Sequence, residues 1–204
     1  AKLLHDLDRG LTAVNVQLNC KCGLKLRKQA DWDAALRGVR LDGLPVYVTP
    51  GSCGLGTLSM FLNTCKAAGV KTADLKGGGG KGICAYYDQM AVMTKWAVAN
   101  APGFQTIGVS GLPYADSGAS AFEEVGAMLS TAVAYLRAME ERGLSVDETA
   151  AHMRFTVSIG ANLFLEIAKI RALRELWAII VKECGGSEEA AKIKLHARTS
   201  FWTL

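Results

Sequence analysis

The chain has 204 residues, of which 50% are hydrophobic and 21% are charged. This composition is typical of a globular domain, and a chain of this length buries enough surface to fold without disulfides or a structural metal. The net charge is only +4, and the basic residues are not grouped with aromatic ones, which argues against a nucleic-acid-binding protein. We expect one domain that covers residues 1–204.

The spacing of the cysteines and the lengths of the apolar runs indicate in which cellular compartment the protein is found. The six cysteines lack the paired spacing of zinc ligands and are typical of thiols in a reducing environment. No apolar run reaches the roughly 18 residues of a membrane span, and the first residues lack the pattern of a signal peptide. The sequence therefore predicts a cytoplasmic protein that binds no metal, no membrane and no nucleic acid.

Strands and helices alternate in the predicted secondary structure. In chain order, the elements are a strand at 11–19, a helix at 31–40, a strand at 44–49, a helix at 58–68, a glycine-rich loop at 75–82, a helix at 83–100, a strand at 105–110, helices that begin at Ser120 and Ser145, a helix at 163–184 and a strand at 192–200. Strands that alternate with helices predict a parallel sheet, either open or closed into a barrel. Periodicity alone does not decide between these two forms.

Three of the predicted helices carry clear local signals. Ser120 and Ser145 are each followed three residues later by a glutamate, which is the pattern of a capping box. The helix at 163–184 has an apolar stripe, predicted to be buried, that consists of Ile167, Ile170, Leu173, Trp177 and Ile180. Its charged residues, predicted to be solvated, are Glu166, Lys169, Arg171, Arg174 and Glu175.

Two glycine-rich segments lack the spacing of phosphate-binding motifs. Residues 76–82 read Lys-Gly-Gly-Gly-Gly-Lys-Gly, without the Walker A spacing and without Ser or Thr after the Gly-Lys pair. We interpret them as a flexible connection, with contact between Lys76 or Lys81 and an anionic ligand as the alternative. Residues 51–56 lack the dinucleotide-binding spacing and are interpreted as a closely packed loop.

The histidines form no recognisable catalytic or metal-binding motif. His5, His152 and His196 are too far apart in sequence for a helical metal pair, and none belongs to a known nucleophile motif. We predict that His196 lies at the end of the last strand, which is where a barrel places functional residues. A structural hydrogen bond is the alternative role for this side chain.

Five segments carry a recognisable combination of motifs. They are residues 110–119 (Ser-Gly-Leu-Pro-Tyr-Ala-Asp-Ser-Gly-Ala), 133–138 (Val-Ala-Tyr-Leu-Arg-Ala), 143–148 (Gly-Leu-Ser-Val-Asp-Glu), 164–177 (Phe-Leu-Glu-Ile-Ala-Lys-Ile-Arg-Ala-Leu-Arg-Glu-Leu-Trp) and 196–200 (His-Ala-Arg-Thr-Ser). In this order they resemble the coenzyme-B12-dependent acyl-CoA mutases, the methylmalonyl-CoA mutase family. The resemblance is dense from about residue 108 onwards and weaker, though collinear, over residues 10–70.

The resemblance implies a parallel (β/α) barrel of the TIM type that binds an acyl-CoA thioester along its axis. In this family a separate domain holds the cobalamin through the histidine of an Asp-x-His-x-x-Gly motif, and this sequence contains no such motif. We therefore expect adenosylcobalamin in the holoenzyme but not bound by this chain alone. The chain is expected to contain no cobalamin-binding domain.

Departures from the family pattern predict a chain that is not itself catalytic. The family histidine that hydrogen-bonds the substrate thioester falls on Pro113, and the glutamine before Thr-Ser falls on Arg198. The arginine-bearing segment that binds the substrate carboxylate is replaced around residues 77–80. These departures resemble the small subunit of the bacterial heterodimeric enzymes, a duplicated and silent copy. Such a chain supports a large catalytic subunit that interconverts methylmalonyl-CoA and succinyl-CoA.

Two alternatives remain at this stage. The first is an acyl-CoA-binding component of a related mutase that works with a separate cobalamin subunit. Its pocket is formed by Tyr114, His196, Arg198, Thr199 and Ser200. The second is a parallel α/β enzyme unrelated to the mutases, which would be supported if Pro113 and Arg198 lay far from the same strand-end face.

The predicted strands are too few for a whole barrel. A TIM barrel has eight strands and typically about 250 residues, whereas about five strands are predicted between residues 11 and 200. We expect only part of the eight-stranded barrel, with exposed parallel strand edges or with pairing of such edges between copies. The lack of an initial Met and the end at Leu204 are interpreted as the edges of an excised piece.

Overall fold

The structure is a computed structural model that describes residues 2–18, 24–49, 54–79 and 87–203. Within these ranges the strands are β1 (Val14–Gln17), β2 (Val46–Thr49), β3 (Gly77–Gly79), β4 (Phe104–Gln105), β5 (Ile107–Ser110), β6 (Met153–Ile159) and β7 (Leu195–Thr199). The α-helices are α1 (Lys2–Asp8), α2 (Gln29–Ala35), α3 (Gly54–Ala67), α4 (Tyr87–Asn100), α5 (Leu112–Asp116), α6 (Ala121–Glu140), α7 (Val146–Ala151) and α8 (Leu163–Glu183). A short 3-10 helix covers Thr72–Asp74.

All the strand pairs are parallel, which confirms the predicted α/β class. One sheet has the order β1-β2-β3-β4 and the other has the order β5-β6-β7. Within each sheet, every strand therefore lies beside its neighbour in the sequence, as in repeated βα units. The described strands do not close into a barrel.

The two sheets meet at Thr106, which divides a segment that was predicted as one strand. The backbone N–H groups of Thr106 and Ile107 both donate to the carbonyl of His152, each at 3.0 Å. The Thr106 hydroxyl lies 2.7 Å from the hydroxyl of Thr94 on α4. Because two consecutive N–H groups donate to the same carbonyl, the regular ladder of backbone hydrogen bonds is interrupted here. The strands β4 and β5 are therefore separate, although only one residue lies between them.

Alternate strand residues face opposite sides, and one side holds the core. Two apolar clusters pack against the helices, and α4 contributes to both of them. The first contains Val14, Val16, Val46, Val48, Trp32, Phe61, Met93 and Phe104 among others. The second contains Met90, Ile107, Val109, Met128, Met153, Phe155, Leu173 and Trp177 among others. The opposite side, here called the inner face, carries Asn15, Gln17, Tyr47, Thr49, Gly108, Ser110, Arg154, Thr156, His196 and Arg198.

Both predicted capping boxes are confirmed. The Glu123 carboxylate accepts from the backbone N–H of Ser120 at 2.8 Å, directly before α6. Glu148 accepts from the N–H of Ser145 at 2.8 Å, directly before α7, and the Ser145 hydroxyl accepts from the N–H of Glu148 at 3.2 Å. Both starts were predictable because a capping box satisfies backbone donors within four residues.

The prediction of a flexible glycine-rich connection is wrong for residues 77–79, which form β3. Gly77 has a φ of +116°, and a Cβ on it would lie 2.1 Å from the carbonyl oxygen of Val46 on β2. A Cβ on Gly78 would lie 2.5 Å from the carbonyl oxygen of Gln105. Glycine is thus required for the close approach of three backbones. Residues 80–82, including Lys81, and the segment 51–53 lie outside the described residues.

Other predicted boundaries shift by several residues. Helix α2 begins and ends before its predicted bounds, α3 begins earlier, and β7 is shorter than the predicted strand. The helices α1 and α5 had no predicted counterpart. In α8, Leu173 and Trp177 are buried as expected, but Ile167 is 45% exposed. No described helix is long and apolar enough to cross a membrane.

Candidate functional site

An ion pair links β7 to helix α5, which follows the carboxyl end of β5. The Arg198 guanidinium on β7 donates from Nη2 to Oδ1 of Asp116 on α5 at 2.6 Å, and both side chains are partly buried. The guanidinium also lies over the Phe201 ring, with Cζ 4.0 Å from the ring centroid. Its Nε is buried without a hydrogen-bond partner. Arg198 is therefore held against the chain's own groups at this edge.

Pro113 lies at the start of α5, where its ring is tolerated because the first turn of a helix needs no N–H donor there. The helix follows β5 directly, so Pro113 and Arg198 are brought to the same end of the strands. The observation that would have supported an unrelated α/β enzyme, namely placement of Pro113 and Arg198 away from the same strand end, is therefore not made. Tyr114 follows Pro113 and is 42% exposed.

The last two predicted pocket residues have different surroundings. Ser200 is buried, its N–H donates to the carbonyl of Ile159, and its hydroxyl accepts from the N–H of Trp202. Thr199 is exposed at the end of β7. The structure therefore brings Tyr114, Arg198 and Ser200 to one edge, with Ser200 engaged in fixing the turn after β7.

His196 does not lie at the end of the strand, so that prediction is wrong. It is the second residue of β7, on the inner face and nearer the amino end. Its ring makes an edge-to-face contact with Tyr47 at 5.5 Å between ring centroids. Burial, together with the nearby Arg154 charge, lowers the pKa of His196 below its usual value.

Beneath the carboxyl-end edge lies a buried cluster of charged side chains, two of which, Glu166 and Lys169, were predicted to be solvated. Lys169 Nζ lies 3.0 Å from Oε2 of Glu124 and 2.7 Å from Oε2 of Glu166, and it donates to the carbonyl of Ser158. The other Glu124 oxygen accepts from the N–H of Ser158 at 2.8 Å. These contacts join α6, α8 and the end of β6, so the cluster positions the β6–α8 turn.

The prediction that Glu166 and Lys169 are solvated is therefore wrong. Their side chains are 12% and 4% exposed, whereas Arg171, Arg174 and Glu175 on the same helix are exposed as expected. A signal was present in the sequence, because Lys169, Leu173 and Trp177 recur at intervals of four and share one helical face. A lysine on an otherwise buried face needs an acidic partner.

His152 is a buried imidazole at the end of α7. Its Nδ1 lies 2.8 Å from the carbonyl oxygen of Glu148, which selects the tautomer that donates from Nδ1, and Nε2 is buried without a partner. Burial lowers the pKa of His152, and the Lys194 charge also lowers it, against the opposing effects of Glu148. The ring is held in its neutral form.

This burial predicts a loss of stability in mild acid. As the pH falls through the usual histidine pKa of 6.5, the unfolded chain binds a proton before the folded chain does, so the free energy of unfolding decreases. We expect urea midpoints to fall between about pH 7 and pH 5. The His152→Asn variant, which retains a donor to Glu148, should show a shallower decline. An equal slope in both proteins contradicts the assignment.

Metal binding and thiol chemistry have no support in the described ranges. No group of three or more His, Cys, Asp or Glu side chains in them is arranged to hold a metal ion. Cys65 and Cys184 are free cysteines, and burial raises the pKa of the Cys65 thiol to about 12, which keeps it protonated. The remaining four cysteines lie outside the described residues.

Comparisons with known proteins agree with the motifs at this edge. The family model for methylmalonyl-CoA mutase matches residues 5–204. The small subunit of this mutase from Streptomyces virginiae is 34% identical over 97% of the chain and 33% of its own length. The small subunit from Porphyromonas gingivalis is 38% identical over 99% of the chain and 30% of its own length.

A large subunit is also similar. The large subunit of methylmalonyl-CoA mutase from Propionibacterium freudenreichii subsp. shermanii is 30% identical over 98% of the chain and 29% of its own length. The chain thus spans about a third of the length of the curated relatives it matches. Because the family model covers nearly every residue, the chain belongs to the methylmalonyl-CoA mutase family.

Proposed function

We propose that this chain is a small-subunit-like domain of a methylmalonyl-CoA mutase, which supports a large catalytic subunit without catalysing the reaction itself. The complex interconverts methylmalonyl-CoA and succinyl-CoA, and the large subunit supplies the catalytic residues. The similarity to two small subunits supports the choice of subunit. In this proposal the chain forms a heterodimer with the large subunit.

The observation that carries the proposal is the chemistry of the edge formed by β5 and β7. Pro113 stands where the family resemblance expects a histidine, and a proline side chain can neither donate a hydrogen bond nor transfer a proton. Arg198 stands where a glutamine is expected, and its charge is paired with Asp116. Acid–base catalysis needs a titratable group within hydrogen-bond reach of the substrate, and these two positions supply none.

The fold we propose is part of a TIM-type barrel. Tyr47 on β2 contacts His196 on β7, and Arg154 on β6 lies over the same ring, although β2 does not pair with either strand. These contacts across the inner face support a sheet that curls around an axis. Consecutive parallel strands with helices on the outside are the arrangement of such a barrel.

The residues of this chain do not fit the expected cobalamin ligand set. A histidine that ligates cobalt in this family follows an aspartate by two residues, whereas Leu3, Ala150 and Lys194 precede the three histidines at that distance. We propose that adenosylcobalamin is held by the partner subunit. The free Cys65 and Cys184 support a reducing compartment, and we propose the cytoplasm.

A reconstitution experiment tests the assignment. The chain is purified alone and together with the large subunit encoded in its own genome, and succinyl-CoA formation is measured with methylmalonyl-CoA and adenosylcobalamin. We expect no turnover from the chain alone and stable co-purification with the large subunit. Turnover by the chain alone would refute the silent role, and failure to associate would refute the partner.

Calorimetry separates this function from an acyl-CoA-binding component. Because Arg198 is paired with Asp116, we expect no micromolar binding of methylmalonyl-CoA to the chain alone. Micromolar binding that is lost in the Arg198→Ala variant would favour a working pocket that includes Tyr114 and Ser200. Arg171→Ala, on the exposed surface of α8, is the matched control for loss of one positive charge.

A further inference from the structure

The backbone of His152 lies where the two sheets meet. Its carbonyl oxygen accepts from the N–H groups of Thr106 and Ile107, each at 3.0 Å, in what is here called the sheet junction. Its own N–H donates to the carbonyl of Thr149 at 3.2 Å, at the end of α7. Any displacement of residue 152 therefore affects both the end of α7 and the link between the sheets.

The imidazole ring of His152 is fixed at only one of its two nitrogens. The residue is 4% exposed, and Nδ1 donates to the carbonyl oxygen of Glu148 at 2.8 Å. Nε2 is enclosed and has no hydrogen-bond partner in the described structure. Protonation would place an N–H donor and a positive charge at this enclosed atom, and a buried donor without an acceptor is costly.

Two charged groups among the described residues act on this ring. The Glu148 carboxylate on α7 favours the protonated form, whereas the Lys194 ammonium opposes it. Lys194 lies against the same turn of the chain, because it donates to the carbonyl of Ala151. Burial is the largest effect, so the pKa of His152 stays below its usual value. Two further charges act on these groups rather than on the ring, namely Lys95 on Glu148 and Glu189 on Lys194.

We propose that His152 is a proton-sensitive latch that closes the sheet junction when its ring is neutral and opens it when the ring is protonated. The protonated ring leaves its enclosed position, because Nε2 then carries a donor without an acceptor, and the backbone of residue 152 moves with it. The N–H groups of Thr106 and Ile107 then lose their acceptor. The junction opens locally, while the two apolar clusters remain packed. The latch needs neither the partner subunit nor mutase turnover.

The open junction becomes more populated as the pH falls through the usual histidine pKa of 6.5. In the open state the ring of His152 is solvated and titrates near that value, whereas in the closed state its pKa is lower. The open state therefore binds the proton first. We expect the open population to rise up to about tenfold between pH 7.5 and pH 5.5, and to be nearly constant above this range.

Hydrogen–deuterium exchange of the 204-residue chain tests the latch, with each rate divided by the intrinsic rate at the same pH. We expect the protection of the Thr106 and Ile107 amides to fall about tenfold over this pH range, because exchange follows the local opening. The amides of the buried Leu129 and Leu136 on α6 should keep their protection. Constant protection at the junction, or an equal fall in α6, overturns the proposal.

An NMR titration of the imidazole groups of the parent chain is the second measurement, and it requires no variant to fold. The proposal requires that the pKa of His152 lies below 6.5 and that the change in protection at the junction accompanies its titration. A His152 ring that titrates at 6.5 without any change at the junction overturns the proposal.

Histidine variants assign the effect to one ring. His152→Asn keeps a donor for the Glu148 carbonyl but does not titrate, so the protection at the junction should become independent of pH. His5→Asn and His196→Asn remove the other two histidines of the chain and should retain the change seen in the parent chain. An undiminished change in His152→Asn, or its loss in both of the other variants, overturns the proposal.

Discussion

Replacement of Lys169 by methionine is expected to destabilise the chain by about 3–5 kcal/mol, which is the usual cost of breaking a buried ion pair from one side. Methionine preserves most of the apolar stem but removes the ammonium that contacts Glu124, Glu166 and the Ser158 carbonyl. The Glu124 carboxylate, whose side chain is 2% exposed, then loses its cationic partner inside the fold. Urea unfolding measures the loss.

The rest of the cluster provides the controls. Arg171→Met removes a positive charge from the exposed face of the same helix, and we expect a change within about 0.5 kcal/mol. Adding Glu124→Gln to Lys169→Met should recover part of the loss, because the buried charge disappears while the amide oxygen still accepts from the Ser158 N–H. A Lys169→Met variant as stable as the parent chain contradicts the structural role of the cluster.

The second large effect is expected at Gly77, where alanine should cost about 4 kcal/mol or more. Two penalties combine there. A φ of +116° is unfavourable for any residue with a Cβ, and that atom would lie 2.1 Å from the Val46 carbonyl oxygen. Since the obstacle is backbone rather than a movable side chain, β2 and β3 must separate. Urea midpoints and soluble yield measure the effect.

Gly10 offers a matched control for this substitution. Its φ is +101°, close to that of Gly77, but nothing lies within 4 Å of a Cβ placed on it. We expect Gly10→Ala to cost only about 1–2 kcal/mol from backbone strain. The additional loss of stability at Gly77 then measures the cost of the contact between the new Cβ and the backbone of β2. Equal losses at the two positions would show that β3 does not approach β2 this closely.

Local signals were sufficient for the parts of the fold that depend on neighbours in sequence. The capping boxes at Ser120 and Ser145 and the core positions Leu173 and Trp177 follow from spacing over three to eight residues. The strand β3 could not be predicted from such local signals, because a run of glycines has no strand propensity. Residues 77–79 form a strand because they lie between the backbones of β2 and β4.

The site was only partly predictable for the same reason. The position of Pro113 and its departure from the family histidine came from the motif, and the structure adds that Arg198 lies beside the same edge. The Asp116 partner of Arg198 is 82 residues away, and the Glu124 partner of Lys169 is 45 residues away. Spacing in sequence carries no information on such pairs.

The division of the strands into a core face and an inner face has a consequence for how such a domain diversifies. Val109 and Phe155 pack among the helices, whereas the adjacent Ser110 and Arg154 face the opposite side. A substitution on the inner face leaves the apolar clusters intact. A reactive side chain can therefore be replaced there with little loss in the free energy of unfolding. Descendants of one ancestral gene can therefore drift apart in chemistry and still share a scaffold.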